Sequence, residues 1–95
     1  MDVNIYNLPQ VLDINNVQEL YQKVNSIFMS PDLQEIKASE VTHLGTAAAQ
    51  ILLAASIYAK VLQRELIFDS PSLIFKEALS DLGILSYFTL RGSNE

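Results

Sequence analysis

The chain has 95 residues, 49% of them hydrophobic, with no cysteine, no tryptophan and one histidine, His43, a size that suits a single core. Disulfide frames and thiolate metal sites are excluded, and one histidine leaves little from which to build a zinc or di-metal centre. Six basic residues against eleven acidic ones give a formal charge of −5, the wrong sign for non-specific grip on a phosphate backbone, so nucleic-acid binding is not expected.

The start of the chain lacks the basic residues, apolar run and small-residue cleavage site of a signal peptide, so a cytoplasmic protein is expected. The segment Val3-Asn4-Ile5-Tyr6 alternates apolar and polar residues and predicts an edge strand, ended by Leu8-Pro9. A short extended piece, Val11 to Ile14, runs into Asn15-Asn16. Asn16, with Glu19 three residues on, reads as the cap of a helix. Val17, Leu20, Val24, Ile27 and Phe28 fall on one face of that helix, with Gln18, Glu19, Gln22, Lys23 and Asn25 opposite. Ser30-Pro31-Asp32 breaks it.

Leu33 to Ser39 predicts a strand with Ile36 and Ala38 on one face, continued by Val41 after a kink. His43 to Thr46 reads as a turn. Ala47 to Leu62 reads as a helix, rich in alanine and leucine and free of glycine and proline. This longest apolar stretch is interrupted by Gln50, Ser56 and Lys60 and is shorter than the roughly 20 residues a bilayer requires, so no membrane insertion is expected. Leu66-Ile67-Phe68 predicts a central strand covered on both faces. Ser70-Pro71 then reads as N-cap and first residue of a last helix, with Phe75, Ala78, Leu79 and Leu82 inward and Gly83 ending it. The tail over 90–95 is expected to fray. Strands alternating with helices predict one α/β domain over residues 1–95, with a mixed, mostly parallel sheet of about four to five strands and three main helices.

Catalytic chemistry finds little support. His43 is the one base candidate, and none of the neighbouring hydroxyls of Ser39, Thr42 and Thr46 sits in a G-x-S-x-G elbow. Three glycines are too few for a P-loop or a dinucleotide fingerprint, so no cofactor and no metal are expected. Glu77 and Asp81, four residues apart, read as a wetted helix face rather than an acid–base pair. The informative place is the junction His43-Leu44-Gly45-Thr46 at the start of the long helix. A hydroxyl there is an ordinary N-cap, or else a position where the free N–H groups and positive helix end accommodate a phosphate. The helix carries two apolar stripes, Ile51, Ala55, Tyr58 and Leu62 on one and Leu53, Ile57 and Val61 on the other. One can face the sheet, and the second packs on a neighbouring helix or meets a partner.

Taken together, Leu8-Pro9 through Leu12-Asp13, Ala38-Ser39-Glu40-Val41, Leu44-Gly45-Thr46-Ala47-Ala48 with Gln50-Ile51-Leu52-Leu53, and Ser70-Pro71-Ser72 to Leu82-Gly83 resemble a STAS domain over roughly residues 8 to 88. This is the fold of bacterial anti-sigma factor antagonists and of related chemotaxis-associated and lipid-transport proteins. The resemblance implies a non-catalytic partner-switching module. Its phosphorylation site would be Thr46, and its partner-binding surface would include Gly45, Thr46, Gln50, Leu53 and Ile57. The partner implied is an anti-sigma factor or serine kinase with a histidine-kinase-like fold, or a chemotaxis kinase, engaged by a monomer or weak homodimer. Gly45 stands where the family usually has aspartate, as in its chemotaxis-associated variant, and Lys37 stands where the strand usually carries an acid. A second implied function is the cytoplasmic STAS subunit of a lipid-transport ABC complex. A small hydrolase using His43 is the third reading, from another class.

Overall fold

The computed structural model describes residues 4–29 and 34–92. The expected helix break at Ser30-Pro31-Asp32, the expected strand start at Leu33, and the expected frayed end over 93–95 lie outside those residues. Within them, six strands and three helices follow in order: β1 (Asn4–Asn7), β2 (Val11–Leu12), α1 (Val17–Met29), β3 (Gln34–Lys37), β4 (His43–Leu44), α2 (Thr46–Val61), β5 (Leu66–Asp69), α3 (Leu73–Asp81) and β6 (Thr89–Arg91), with a 3₁₀ turn at Leu85–Tyr87. The α/β class, the three helices and the predominantly parallel sheet agree with the sequence pattern.

The main sheet has the order β1-β3-β5-β6, and every neighbouring pair in it is parallel. Each crossover steps in the same direction, and right-handed crossovers that all step one way deliver their helices to one face. The burial follows this topology. Tyr6, Ile36, Phe68 and Leu90 share a row across the four strands. This row packs into a core built from Leu20, Val24 and Ile27 of α1, Ala48, Leu52 and Ala59 of α2, and Phe75 and Leu79 of α3. Phe68, Phe75 and Phe88 form a ring cluster with centroids 5.0 to 6.4 Å apart, geometry in which aromatic rings attract one another beyond their area burial.

The opposite face carries Glu35, Lys37, Asp69 and Arg91. As expected, β5 is nonetheless buried on both faces. Leu66 and Phe68 join the core, whereas Ile67 is buried outside it, in the row between Glu35 and Thr89. Arg91 crosses β5 to reach Glu35 at 2.7 Å and also binds Asp69 at 3.0 Å, its long stem screening this face from water. Arg91 is therefore a ladder residue of β6 and not part of a frayed tail.

Four local expectations are corrected. Asn16 does not cap α1 with its side chain. Its amide donates to the Val11 carbonyl at 2.7 Å and its Oδ1 accepts from Asp13 N at 2.9 Å, closing the loop before the helix. Val41 does not extend β3. It is buried in the connection to β4, where its carbonyl accepts a 2.7 Å hydrogen bond from the Ser72 hydroxyl. That contact moves the cap of α3 from Ser70 to Ser72, whose hydroxyl also accepts from Phe75 N at 3.1 Å, while Ser70 takes a left-handed φ of 52°. At the far end of α3, Leu82 is the exposed C-cap rather than a core residue, and Gly83 with φ 76° ends the helix as expected.

Candidate functional site

The junction before α2 is assembled by a second, two-stranded parallel sheet. β4 pairs with β2, Val11 opposite His43 and Leu12 opposite Leu44, so the expected turn at His43 is a short strand. Its last bond runs from Gly45 N to the Leu12 carbonyl at 2.8 Å. Gly45 lies in the extended region, with φ −76° and ψ 163°, and is the N-cap of α2 without any side-chain cap. A Cβ at this position would stand 3.2 Å from the Leu12 carbonyl oxygen, tighter than most side-chain contacts, and 3.6 Å from Asp13 Cα, an ordinary contact. A larger residue fits here only if the backbone around Leu12 gives by a few tenths of an ångström.

This corrects the reading of Thr46 as an ordinary N-cap. Thr46 is the first helical residue, and its side chain is exposed. Around it lie backbone N–H groups without intrahelical acceptors and the positive end of a 16-residue helix.

Thr46, Gln50, Leu53 and Ile57 are spaced by four, three and four residues, so the helix places them on one stripe running from its start. Thr46, Gln50 and Ile57 are exposed and Leu53 is half-buried. Val61, 71% exposed, extends the same line. The structure thus brings together all five expected contact residues, with Gly45 at the head of the row. The stripe through Ile51, Ala55, Tyr58 and Leu62 turns toward α1. There Tyr58 meets Phe28 edge-on, with ring centroids 5.1 Å apart, above an open groove of about 630 Å³ that Tyr21, Met29 and Ile51 also line. The main core face lies between the stripes and shares only Ala55 with the first: it is Ala48, Ala49, Leu52, Ala55, Ser56 and Ala59, five of its six residues small.

The other candidates disperse. His43 is exposed, with its Nε2 3.9 Å from the point where a Gly45 Cβ would stand. The Thr42 hydroxyl donates to the Gln10 carbonyl at 3.2 Å, and Ser39 lies in the turn after β3. Lys37 is taken up by Asp69 at 3.6 Å on the sheet face turned away from the helices. Among the described residues no group of three or more His, Asp or Glu side chains is placed to hold a metal ion, and no helix is long and apolar enough to cross a membrane.

No family model matches the chain, and no curated protein matches it.

Proposed function

We propose that the chain is a non-catalytic regulatory module that binds a protein partner through the outer stripe of α2, in the manner of the STAS domains it resembles. Thr46 is the residue whose modification breaks the contact. The observation that carries this reading is the exposed Thr46 hydroxyl on the first residue of α2, at the head of the row Gln50, Leu53, Ile57. A phosphate on Thr46 adds a charge of about −1.5 to −2 and is accommodated by the free N–H groups and helix dipole, while it presents like charge to an acidic partner and hydration to an apolar one. The partner class is a kinase or anti-sigma factor with a histidine-kinase-like fold, or a chemotaxis kinase, met in the cytoplasm by a monomer or weak homodimer.

A second reading, the permanent subunit of a lipid-transport ABC complex, is favoured by the apolar continuation of the stripe through Ile57 to Val61, which carries no modifiable group. Intact-mass measurement of the protein from its native host, with and without phosphatase, beside Thr46→Ala, decides between the two. A phosphate-sized increment absent from the variant supports the switch. A single unmodified mass under all growth conditions overturns it in favour of the permanent subunit.

A further inference from the structure

We propose that the cleft beside the C-terminal half of α2 binds a small carboxylate monoanion through Ser56 and Lys60. Ser56 is 4% exposed, and among the described residues its Oγ is a buried side-chain oxygen with no hydrogen-bond partner. Helical serines usually satisfy themselves on the carbonyl one turn back. Ser56 does not, and a buried hydroxyl left unpaired is disfavoured until water or a ligand answers it.

The surroundings select the ligand. Ser56 lines a cleft of about 210 Å³ together with Lys60, Arg64, Glu65, Tyr87 and Thr89. That volume is below the roughly 300–1,000 Å³ of pockets for drug-sized ligands, which limits the occupant to a short molecule. Two of the six basic residues of an acidic chain meet here.

Arg64 acts through its field. Its guanidinium donates to the carbonyls of Phe28 and Ile27 at 3.3 and 3.4 Å and lies over the Phe28 ring. Lys60 stands one turn beyond Ser56 on the same helix face, and among the described residues its Nζ makes a long 3.4 Å contact with the Tyr87 carbonyl, which it can exchange for an oxyanion. Glu65 offsets one of the two cations, so the net field suits a monoanion better than a phosphate dianion. The ligand places one oxygen toward the Ser56 hydroxyl and the other toward Lys60. Ser56 lies ten residues along α2 from Thr46, so this site stands or falls independently of the modification switch.

The test is a two-dimensional amide NMR titration of the whole chain with sodium acetate, against sodium chloride at matched ionic strength and against inorganic phosphate. The expected result is saturable acetate shifts at Ser56, Lys60 and Thr89, with apparent affinity reduced about tenfold in Ser56→Ala and in Lys60→Gln, the latter a surface change that leaves the core intact. A response that chloride reproduces, or one that neither variant weakens, overturns the site. No response at all also overturns it and leaves Ser56 satisfied by ordered water. Phosphate binding tighter than acetate overturns the carboxylate assignment.

Discussion

Arg91 on β6 and Glu35 on β3 are joined Nη2 to Oε1 at 2.7 Å across the intervening strand β5. The same guanidinium holds Asp69 of β5 through Nε at 3.0 Å, so one side chain fastens three strands. Its pKa is raised, first by the hydrogen bond to Glu35 and then by that to Asp69.

The hydrogen bond from Arg91 holds the Asp69 carboxyl below its ordinary value of 3.8, with the Ser70 hydroxyl and the charges of Arg91 and Lys37 acting the same way against the opposing effect of burial. A carboxyl whose folded pKa is depressed contributes stability that is present above its unfolded value and is lost as pH falls through the folded one. Asp69→Asn is therefore less stable than the parent near neutrality, and the difference between the two shrinks below about pH 4. Denaturant unfolding followed at several pH values checks this, and a difference independent of pH contradicts it.

Gly45→Ala is expected to cost about 1–2 kcal/mol in denaturant unfolding, because its Cβ meets the backbone oxygen of Leu12 rather than a flexible side chain. A neutral substitution would mean that the backbone at Leu12 gives by the few tenths of an ångström the Cβ needs without cost.

Ser72 joins the start of α3 to the β3–β4 connection. Its hydroxyl accepts from Phe75 N and donates to the Val41 carbonyl. Ser72→Ala removes the cap and leaves a buried residue's carbonyl short of a donor, an expected loss of about 1–2 kcal/mol. Ser70→Ala is expected to cost less, since that residue is not the cap. Thermal unfolding of the two variants side by side shows the order.

Thr46→Glu separates folding from docking. A carboxylate in the first turn of α2 favours the helix by about 0.5 kcal/mol, so the variant unfolds at the same or slightly higher denaturant. Under the proposed function it nonetheless loses partner affinity, read by titration calorimetry with the identified partner. Equal affinity of variant and parent contradicts the switch.

Much of this fold is legible from pattern. The face of α1 follows from Leu20, Val24 and Ile27, because a 13-residue helix is long enough for periodicity to speak, and β5 follows from a short apolar run bounded by charges. The parts missed have physical reasons. The two-residue strand β4 is too short to alternate, so the partner of the extended piece at Val11 could not be read, and β6 offers a single apolar residue, Leu90, being held by the ion pairs of Arg91. The cap of α3 depends on where the Val41 carbonyl lies, which the adjacent serines 70 and 72 do not reveal. Alanines read as helix formers, so the true core face of α2 went unnoticed beside its bulkier stripes. At the candidate site the row Thr46, Gln50, Leu53, Ile57 is readable from spacing alone, whereas the role of Gly45 required the distance to Leu12. Ser56 appears in the sequence only as an interruption of an apolar run.

The two-residue ladder between β2 and β4 gives α1 and α2 a common root. β2 leads through Asp13 and the Asn16-closed loop into α1, and β4 leads through Gly45 directly into α2. The Gly45 N–H bond to the Leu12 carbonyl thus ties the start of α2 to the segment from which α1 departs, so a displacement at the head of one helix is felt at the root of the other.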